Sequence, residues 1–433
     1  MNTTSAPPFT AAYQRTVVDA LRAVLPERCV LFNEEDTRPY ECDGLAAYAQ
    51  LPMVVVLPDT EAQVIAAIKV CHALKVPIVP RGAGTGLSGG ALPIADGIVL
   101  STARLNKIVK VDAYARTAVV QPGVRNLAIS EAVAPLGLYY APDPSSQIAC
   151  TIGGNVAENS GGVHCLKYGL TVHNVMRVRV VTIEGDVVEL GNAALDAPGL
   201  DLLSVFVGSE GMLGMVTEVT VKLIPKPKLA RVILASFDDV VKGGNAVASV
   251  IAAGIIPAGL EMMDKTSSRM VEPFVKAGYD IDAEALLLCE SDGIPEEVDE
   301  EIARMTEVLK HSGATAIAVS QNEAERLRFW SGRKNAFPAA GRISPDYYCI
   351  DGTIPRRSLA DVLLGIAEME VKYGLRCANV FHAGDGNLHP LILFDANQEG
   401  EFHRAELFGA EILEMCVEAV SYTHLRAHET PEH

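Results

Sequence analysis

The chain has 433 residues and 49% of them are hydrophobic, enough for two or three domains with a large core. Its formal net charge of −18 argues against general nucleic-acid binding, though it permits a local basic pocket for a small acid. It has no apolar run of the ~18–20 residues that a membrane span needs, no secretory signal in MNTTSAPPFTAAYQR, and nine cysteines without a C-x-x-C, which fits a reducing cytoplasm and offers no iron–sulfur ligand set.

Residues 10–25 carry a helical apolar pattern through Val17, Ala20, Leu21 and Val24. MVVVLP, residues 53–58, reads as a buried strand. TEAQVIAAIKVCHALK follows as a helix capped by Thr60, with Val64, Ile68 and Cys71 on one face. VPIVP is a second strand, and it leads into PRGAGTGLSGG, Pro80 to Gly90. A run this rich in glycine has no side chains to bury. It presents backbone N–H groups that can close on phosphate oxygens. Arg81 adds a positive charge, and Thr85 and Ser88 add hydroxyls. The run lacks the Gly-Lys-Ser/Thr end of a Walker loop. Gly84-Thr-Gly86-Leu-Ser-Gly89 has the letters of a Rossmann fingerprint. That motif needs a helix directly after it, and Pro93 and Gly97 oppose one.

GIVLST, VVQPG and RVRVVTIEGDVVEL read as strands, the last folded back at Glu184-Gly185-Asp186. RNLAISEAVAPLG lies among them as a helix. The stretch APDPSSQIACTIGGNVAENSGGVHCLKYG, residues 141–169, reads as too irregular for a strand and too long for a turn. Between such regular flanks it points to function. VGSEGMLG then brings more glycine, and VTEVTVKL is a strand. Pro225 and Pro227 mark a domain edge.

Beyond that edge come RVILASF, a helix around 239–253, PAGLEMM, ALLLCES, a helix around 296–310 and ATAIAVS. The rhythm predicts an antiparallel sheet with helices on one face. The next helix carries Arg326, Trp330 and Arg333 on one face at i, i+4 and i+7. CANVFHAGDGNLHPLILF is a strand broken by a turn from His382 to His389. A last helix buries Phe408, Ile412, Met415 and Ala419. The tail SYTHLRAHETPEH has no apolar period and resembles translated adapter sequence. The expectation is a native chain that continues past Val420.

Five motifs stand in order: PRGAGTGLSGG, PDPSS, TIGGNVAENSGG, GSEGMLGMVTEVTVKL and FHAGDGNLHP. Together they resemble the FAD-linked 2-hydroxy acid dehydrogenases with a vanillyl-alcohol-oxidase (PCMH-type) flavin domain. That family includes the FAD-linked D-subunits of bacterial glycolate oxidases and the D-lactate and D-2-hydroxyglutarate dehydrogenases. The resemblance implies an α+β fold. A helical segment at 1–48 would precede a PCMH-type two-subdomain FAD-binding domain at 49–228. An α+β FAD-linked oxidase C-terminal domain with an antiparallel sheet would occupy 229–420, before a non-native tail at 421–433.

The resemblance also implies roles. The FAD pyrophosphate would lie on Arg81, Gly82, Ala83, Gly84, Thr85, Gly86, Ser88 and Gly89. Pro142, Asp143, Ser145, Ser146, Thr151, Gly153, Gly154, Asn155, Asn159, Ser160 and Gly161 would line the diphosphate and isoalloxazine. Gly211, Gly214 and Val216 would sit toward the adenine and ribose. Arg333 would bind the substrate carboxylate. His382 and His389 would be two ligands of a divalent metal, zinc or manganese, beside the hydroxy acid. The family's Gly-Glu-His-Gly motif, with a third ligand and a catalytic histidine, does not occur in this chain.

The implied reaction is oxidation of a small 2-hydroxy acid, glycolate or D-lactate, to the 2-oxo acid, with electrons passing to an external acceptor. The implied partners are an iron–sulfur subunit and a second flavin-type subunit, through which the chain would meet a membrane peripherally. The competing reading is a non-catalytic FAD-binding subunit, which would lack the HAGDGNLH segment present here. Cys349 stands where some relatives have a substrate lysine, which weighs against larger dicarboxylate substrates. On the residues alone, Arg333 also reads as a solvated helix charge, and His164 as a FAD contact or a space filler.

Overall fold

A computed structural model describes residues 9–194 and 198–419. The suspected tail, residues 421–433, lies outside them. The chain divides into two units. The first comprises residues 1–162 and 169–226. The second comprises residues 163–168 and 227–433.

In the first unit, Val54, Val55 and Val56 have no exposed surface and sit inside a four-stranded sheet. Its strands run in the order Val30–Leu31, Val54–Val56, Ile98–Ser101, Ile78–Arg81. The first pair is antiparallel and the others parallel. Helix Glu61–Leu74 begins where the Thr60 hydroxyl accepts the Gln63 N–H at 3.3 Å. It buries Val64, Ala67, Ile68 and Cys71, the face expected from the sequence plus one alanine. Strand Ile78–Arg81 then delivers the chain into the glycine run. No helix follows before strand Ile98–Ser101, so the run is not a Rossmann turn.

The first unit also holds a five-stranded antiparallel sheet. Its order is Ile108–Asp112, Thr117–Val120, Met215–Lys222, Val175–Val181, Val187–Gly191. The stretch 141–169 is more regular than its letters suggest, because helices Ile152–Glu158 and Cys165–Tyr168 lie within it. Two glycines weaken the first of these by propensity. Burial of Ile152 and Val156 against Val178 and Val219 overrides that weakness.

The second unit is built on a seven-stranded sheet. Its order is Ala316–Val319, Leu229–Phe237, Ala285–Gly293, Gly259–Asp264, Arg376–Phe381, Pro390–Phe394, Asp346–Cys349. Every strand pair in it is antiparallel. One face carries Ile233, Ala235, Phe237, Leu260, Met262, Leu287 and Cys289 into the core. Helices Val240–Ala252, Pro295–His311 and Leu359–Tyr373 cover that face. Strand alternation places Glu261, Leu288 and Glu290 on the opposite face. Helix Glu323–Lys334 lies there, with Arg326 and Arg333 paired to the two carboxylates. Helices therefore cover both faces, not one. The strand rhythm shows which segments alternate but not on which side each connection crosses.

Residues Val163–Tyr168 join this second unit, although the chain on either side of them belongs to the first. Lys167 Nζ lies 2.6 Å from Asp292 Oδ1, and the Tyr168 hydroxyl donates to the same oxygen at 2.8 Å. This six-residue strap is thus held by charge-assisted bonds. Among the described residues no helix is long and apolar enough to cross a membrane.

Candidate functional site

The expected cofactor segments meet one another within the first unit. Gly211, at φ 78, packs so closely that a Cβ there would lie 2.6 Å from the Pro80 ring. A Cβ on Gly162 would collide with the Asp143 backbone. The glycine run, the PDPSS loop, the TIGGNVAENSGG segment and the GSEG turn therefore interlock by backbone approach. Asn126, which sequence reasoning missed, ties two of them together. Its amide donates to Pro142 O and to Asn155 Oδ1, both at 3.0 Å. Asn159, at φ 48, ends helix Ile152–Glu158, and its side chain accepts the Val172 N–H at 3.0 Å. The Thr151 hydroxyl and the Ser209 hydroxyl are buried without a partner among the described residues. Orphaned hydroxyls beside glycine-lined backbone fit a ligand that brings phosphate and ribose oxygens.

The remaining expected cofactor residues divide by exposure. Ala83 and Ser145 are exposed. Gly82, Gly84, Thr85, Gly86, Ser88, Gly89, Asp143, Ser146, Gly153, Gly154, Ser160, Gly161 and Gly214 are half-buried. Val216 is part of the sheet core, so only its backbone is available to a ligand. Arg81 is turned onto the loop itself. Its Nη1 donates to Cys42 O at 2.8 Å and to Ala91 O at 3.3 Å, and its guanidinium carbon stands 5.7 Å from the Tyr40 ring centroid. Burial pushes this guanidinium below its ordinary pKa.

In the second unit, Arg333, Glu261 and His382 form one buried group. Arg333 is 1% exposed. Its Nε donates to Glu261 Oε2 at 2.6 Å, while Nη1 and Nη2 are buried without a partner among the described residues. The other carboxylate oxygen of Glu261 lies 2.7 Å from His382 Nδ1. Burial would raise the Glu261 carboxyl, but the charges of His382 and Arg333 outweigh it and hold the group below its ordinary pKa. Burial likewise works to depress His382, and Glu261 overrides it, so the imidazole is pushed up. The His382 and His389 rings stand edge to face, with centroids 5.2 Å apart. His389 Nδ1 is 3.8 Å from Asp351 Oδ1. Cys349 is buried, and that burial drives its thiol well above the ordinary value. Among the described residues, no three His, Cys, Asp or Glu side chains are grouped to hold a metal ion.

Glu261 and Glu290 are the carboxylates that sequence reasoning missed here. The available signal was a single acidic residue inside an otherwise apolar strand, as in PAGLEMM and ALLLCES. Such a residue is buried only when it is paired. His164, read from sequence as open, lies 3.1 Å from Glu290 Oε1 through its Nε2.

Residues 226–420 match the family described as FAD linked oxidases, C-terminal domain, and residues 52–191 match the FAD binding domain. Glycolate oxidase subunit GlcD of Escherichia coli K12 is 63% identical over 403 residues, covering 93% of this chain and 81% of that protein. The chain belongs to the FAD-linked oxidase family. A D-lactate dehydrogenase of Anaerostipes hadrus shares 32% identity over 400 residues, covering 90% of this chain and 83% of that one. The crystal structure of p-cresol methylhydroxylase with substrate bound superposes with a TM-score of 0.78 at 21% identity, covering 94% of this chain and 88% of that one. At that identity the likeness establishes the PCMH-type fold alone. The glycine run, the PDPSS loop and the TIGGNVAENSGG segment lie within the residues that match this family's FAD binding domain, and the GSEG turn follows them in the chain.

Proposed function

We propose that this FAD-linked oxidase converts a small 2-hydroxy acid, glycolate or D-lactate, to the corresponding 2-oxo acid. One observation carries the reading. Arg333 has a fully buried guanidinium whose Nε is committed to Glu261 and whose Nη1 and Nη2 have no partner among the described residues. Leaving two charged donors buried and unsatisfied is expensive unless a ligand completes them. A carboxylate does so with two parallel bonds, which fixes the orientation of the adjoining carbon. A non-catalytic FAD-binding subunit would leave that fork without a purpose.

The geometry supports the following proposed roles. Arg333 grips the carboxylate, and Glu261 fixes the plane of its guanidinium. The same carboxylate holds Nδ1 of His382 and so presents Nε2 of that ring. With its His389 neighbour, His382 would supply two nitrogen ligands to a divalent metal, zinc or manganese. A catalytic metal usually takes three protein ligands. The residues proposed to bind FAD are the glycine run with Gly153, Gly154, Asn155 and Thr151, while Arg81 keeps that run in shape. When bound, FAD supplies the electron acceptor and a metal supplies Lewis acidity. The relatives include a named subunit of a larger oxidase. We therefore propose that electrons leave this chain to an iron–sulfur subunit, with a second flavin-type subunit beside it, in the cytoplasm. The test is an absorbance spectrum of the purified protein, followed by anaerobic addition of glycolate and of D-lactate. Bleaching of the flavin band by one of them is expected. A flavin that neither acid bleaches would refute the reading.

A further inference from the structure

Helix Glu323–Lys334 is pinned to the sheet at two places. Toward its C-terminal end Arg333 meets Glu261. One to two turns earlier Arg326 and Trp330 meet Glu290. Arg326 Nη1 lies 2.8 Å from Glu290 Oε2, and the Trp330 indole N–H donates to the same oxygen. The strap's His164 takes the other oxygen at 3.1 Å. Glu290 is 1% exposed and Trp330 2%. Gly259 pairs with Glu290 across the sheet, and Glu261 pairs with Leu288. The two carboxylates are therefore diagonal neighbours on one face. A Cβ on Gly259 would lie 3.3 Å from the Trp330 ring and 2.9 Å from Val163, so ring and strap cover that strand.

A buried carboxylate with three donors is poor value as simple packing, since apolar groups of similar volume stabilise as well. What it does supply is register. Three side chains from the helix and the strap must each reach one fixed pair of oxygens. The helix then cannot rotate or slide without breaking a charged bond. Arg333 sits on the same helix face, one turn beyond Trp330, so its unpartnered fork points where Glu290 and Glu261 together allow. We propose that Glu290 is a positioning residue for substrate binding. It fixes, through Trp330 and Arg326, the helix register from which Arg333 presents its guanidinium to the hydroxy acid. This rests on the reading of Arg333 as the carboxylate site.

The test is a mutant cycle in the FAD-loaded protein, scored by steady-state dye reduction with whichever of glycolate and D-lactate bleaches the flavin. Glu290→Gln keeps the shape and removes the charge. It is expected to raise KM roughly 3- to 10-fold with kcat within about twofold, at unchanged FAD content. In a chain already carrying Arg333→Lys, the same change is expected to add less than about twofold, because the two act through one group. Trp330→Phe deletes the N–H together with part of the buried ring and is expected to raise KM in the same direction. It keeps the test open if Glu290→Gln folds poorly. An unchanged KM in both Glu290→Gln and Trp330→Phe would overturn the proposal. So would an equal effect of Glu290→Gln with and without Arg333→Lys, which would make Glu290 a structural residue only. If Arg333→Lys itself left KM unchanged, the carboxylate reading beneath the proposal would fall with it.

Discussion

Replacing Arg333 by Lys separates the observed pairing with Glu261 from the proposed grip on a substrate carboxylate. The lysine ammonium can still offer a charge to buried Glu261, whose Oε2 now takes the Arg333 Nε at 2.6 Å. It cannot present two further parallel donors. The loss is therefore the bond from Nη1 and Nη2 to the incoming carboxylate. A hydrogen bond to a charged group contributes about 1.5–3 kcal/mol. At 1.4 kcal/mol per tenfold, KM should rise about 10- to 100-fold. FAD content should not change. Arg333→Ala should show the same rise in KM and a second effect. It strands Glu261 beside His382 alone, and breaking a buried pair costs about 3–5 kcal/mol. For a unit of this size that corresponds to a melting temperature lower by roughly 6–20 °C. The assay is steady-state dye reduction over a range of acid concentration, with thermal melting and flavin content on the same preparations. If Arg333→Lys had native KM, the buried fork would be a structural feature and the argument would fail.

Three further outcomes are expected. Glu290 is held down to about 2, because the bonds from His164, Arg326 and Trp330 outweigh the burial that would raise it. A carboxyl depressed from 4.5 in this way contributes stability that is complete above that value and is lost as pH falls toward 2. The amount is about 3 kcal/mol, so the urea midpoint of the native chain should fall more between pH 5 and pH 3 than that of Glu290→Gln. Gly162→Ala should push the Asp143 backbone aside and weaken FAD binding about 5- to 100-fold, from an overpacking cost of about 1–3 kcal/mol, as read by flavin fluorescence on dilution. The Pro80–Gly90 loop has no His, Cys or Tyr to form a covalent link, so acid precipitation should leave yellow FAD in the supernatant. Colour retained in the pellet would contradict that.

Much of the first unit was legible because its close backbone approaches are written in consecutive residues. A glycine run, a PDPSS loop and a GSEG turn each announce backbone exposure on their own. What failed there was local: Ile152–Glu158 looked irregular because its glycines obey packing rather than propensity. The buried group of the second unit was harder. Arg333 and His382 were visible as residue types, but Glu261, which joins them, lies 72 positions from one and 121 from the other. Nothing within the segment GLEMMD says which arginine or histidine its carboxylate will meet. Pairing of that kind is fixed by sheet register, which a linear pattern does not contain.

The strap also sets an order of events during synthesis. His164 must find Glu290 at a separation of 126 residues, and Lys167 must find Asp292 at 125. At 5–20 residues per second, the ribosome makes the second partner about 6–25 s after the first. The remainder of the first unit ends at residue 226, well before strand Ala285–Gly293 has emerged. The nascent chain therefore passes through a stage in which its first unit can be assembled while Val163, buried in the finished protein, still waits for its sheet. A chaperone that binds short apolar segments has its opportunity in that interval. A ribosome stalled between residues 226 and 285 would hold the chain there.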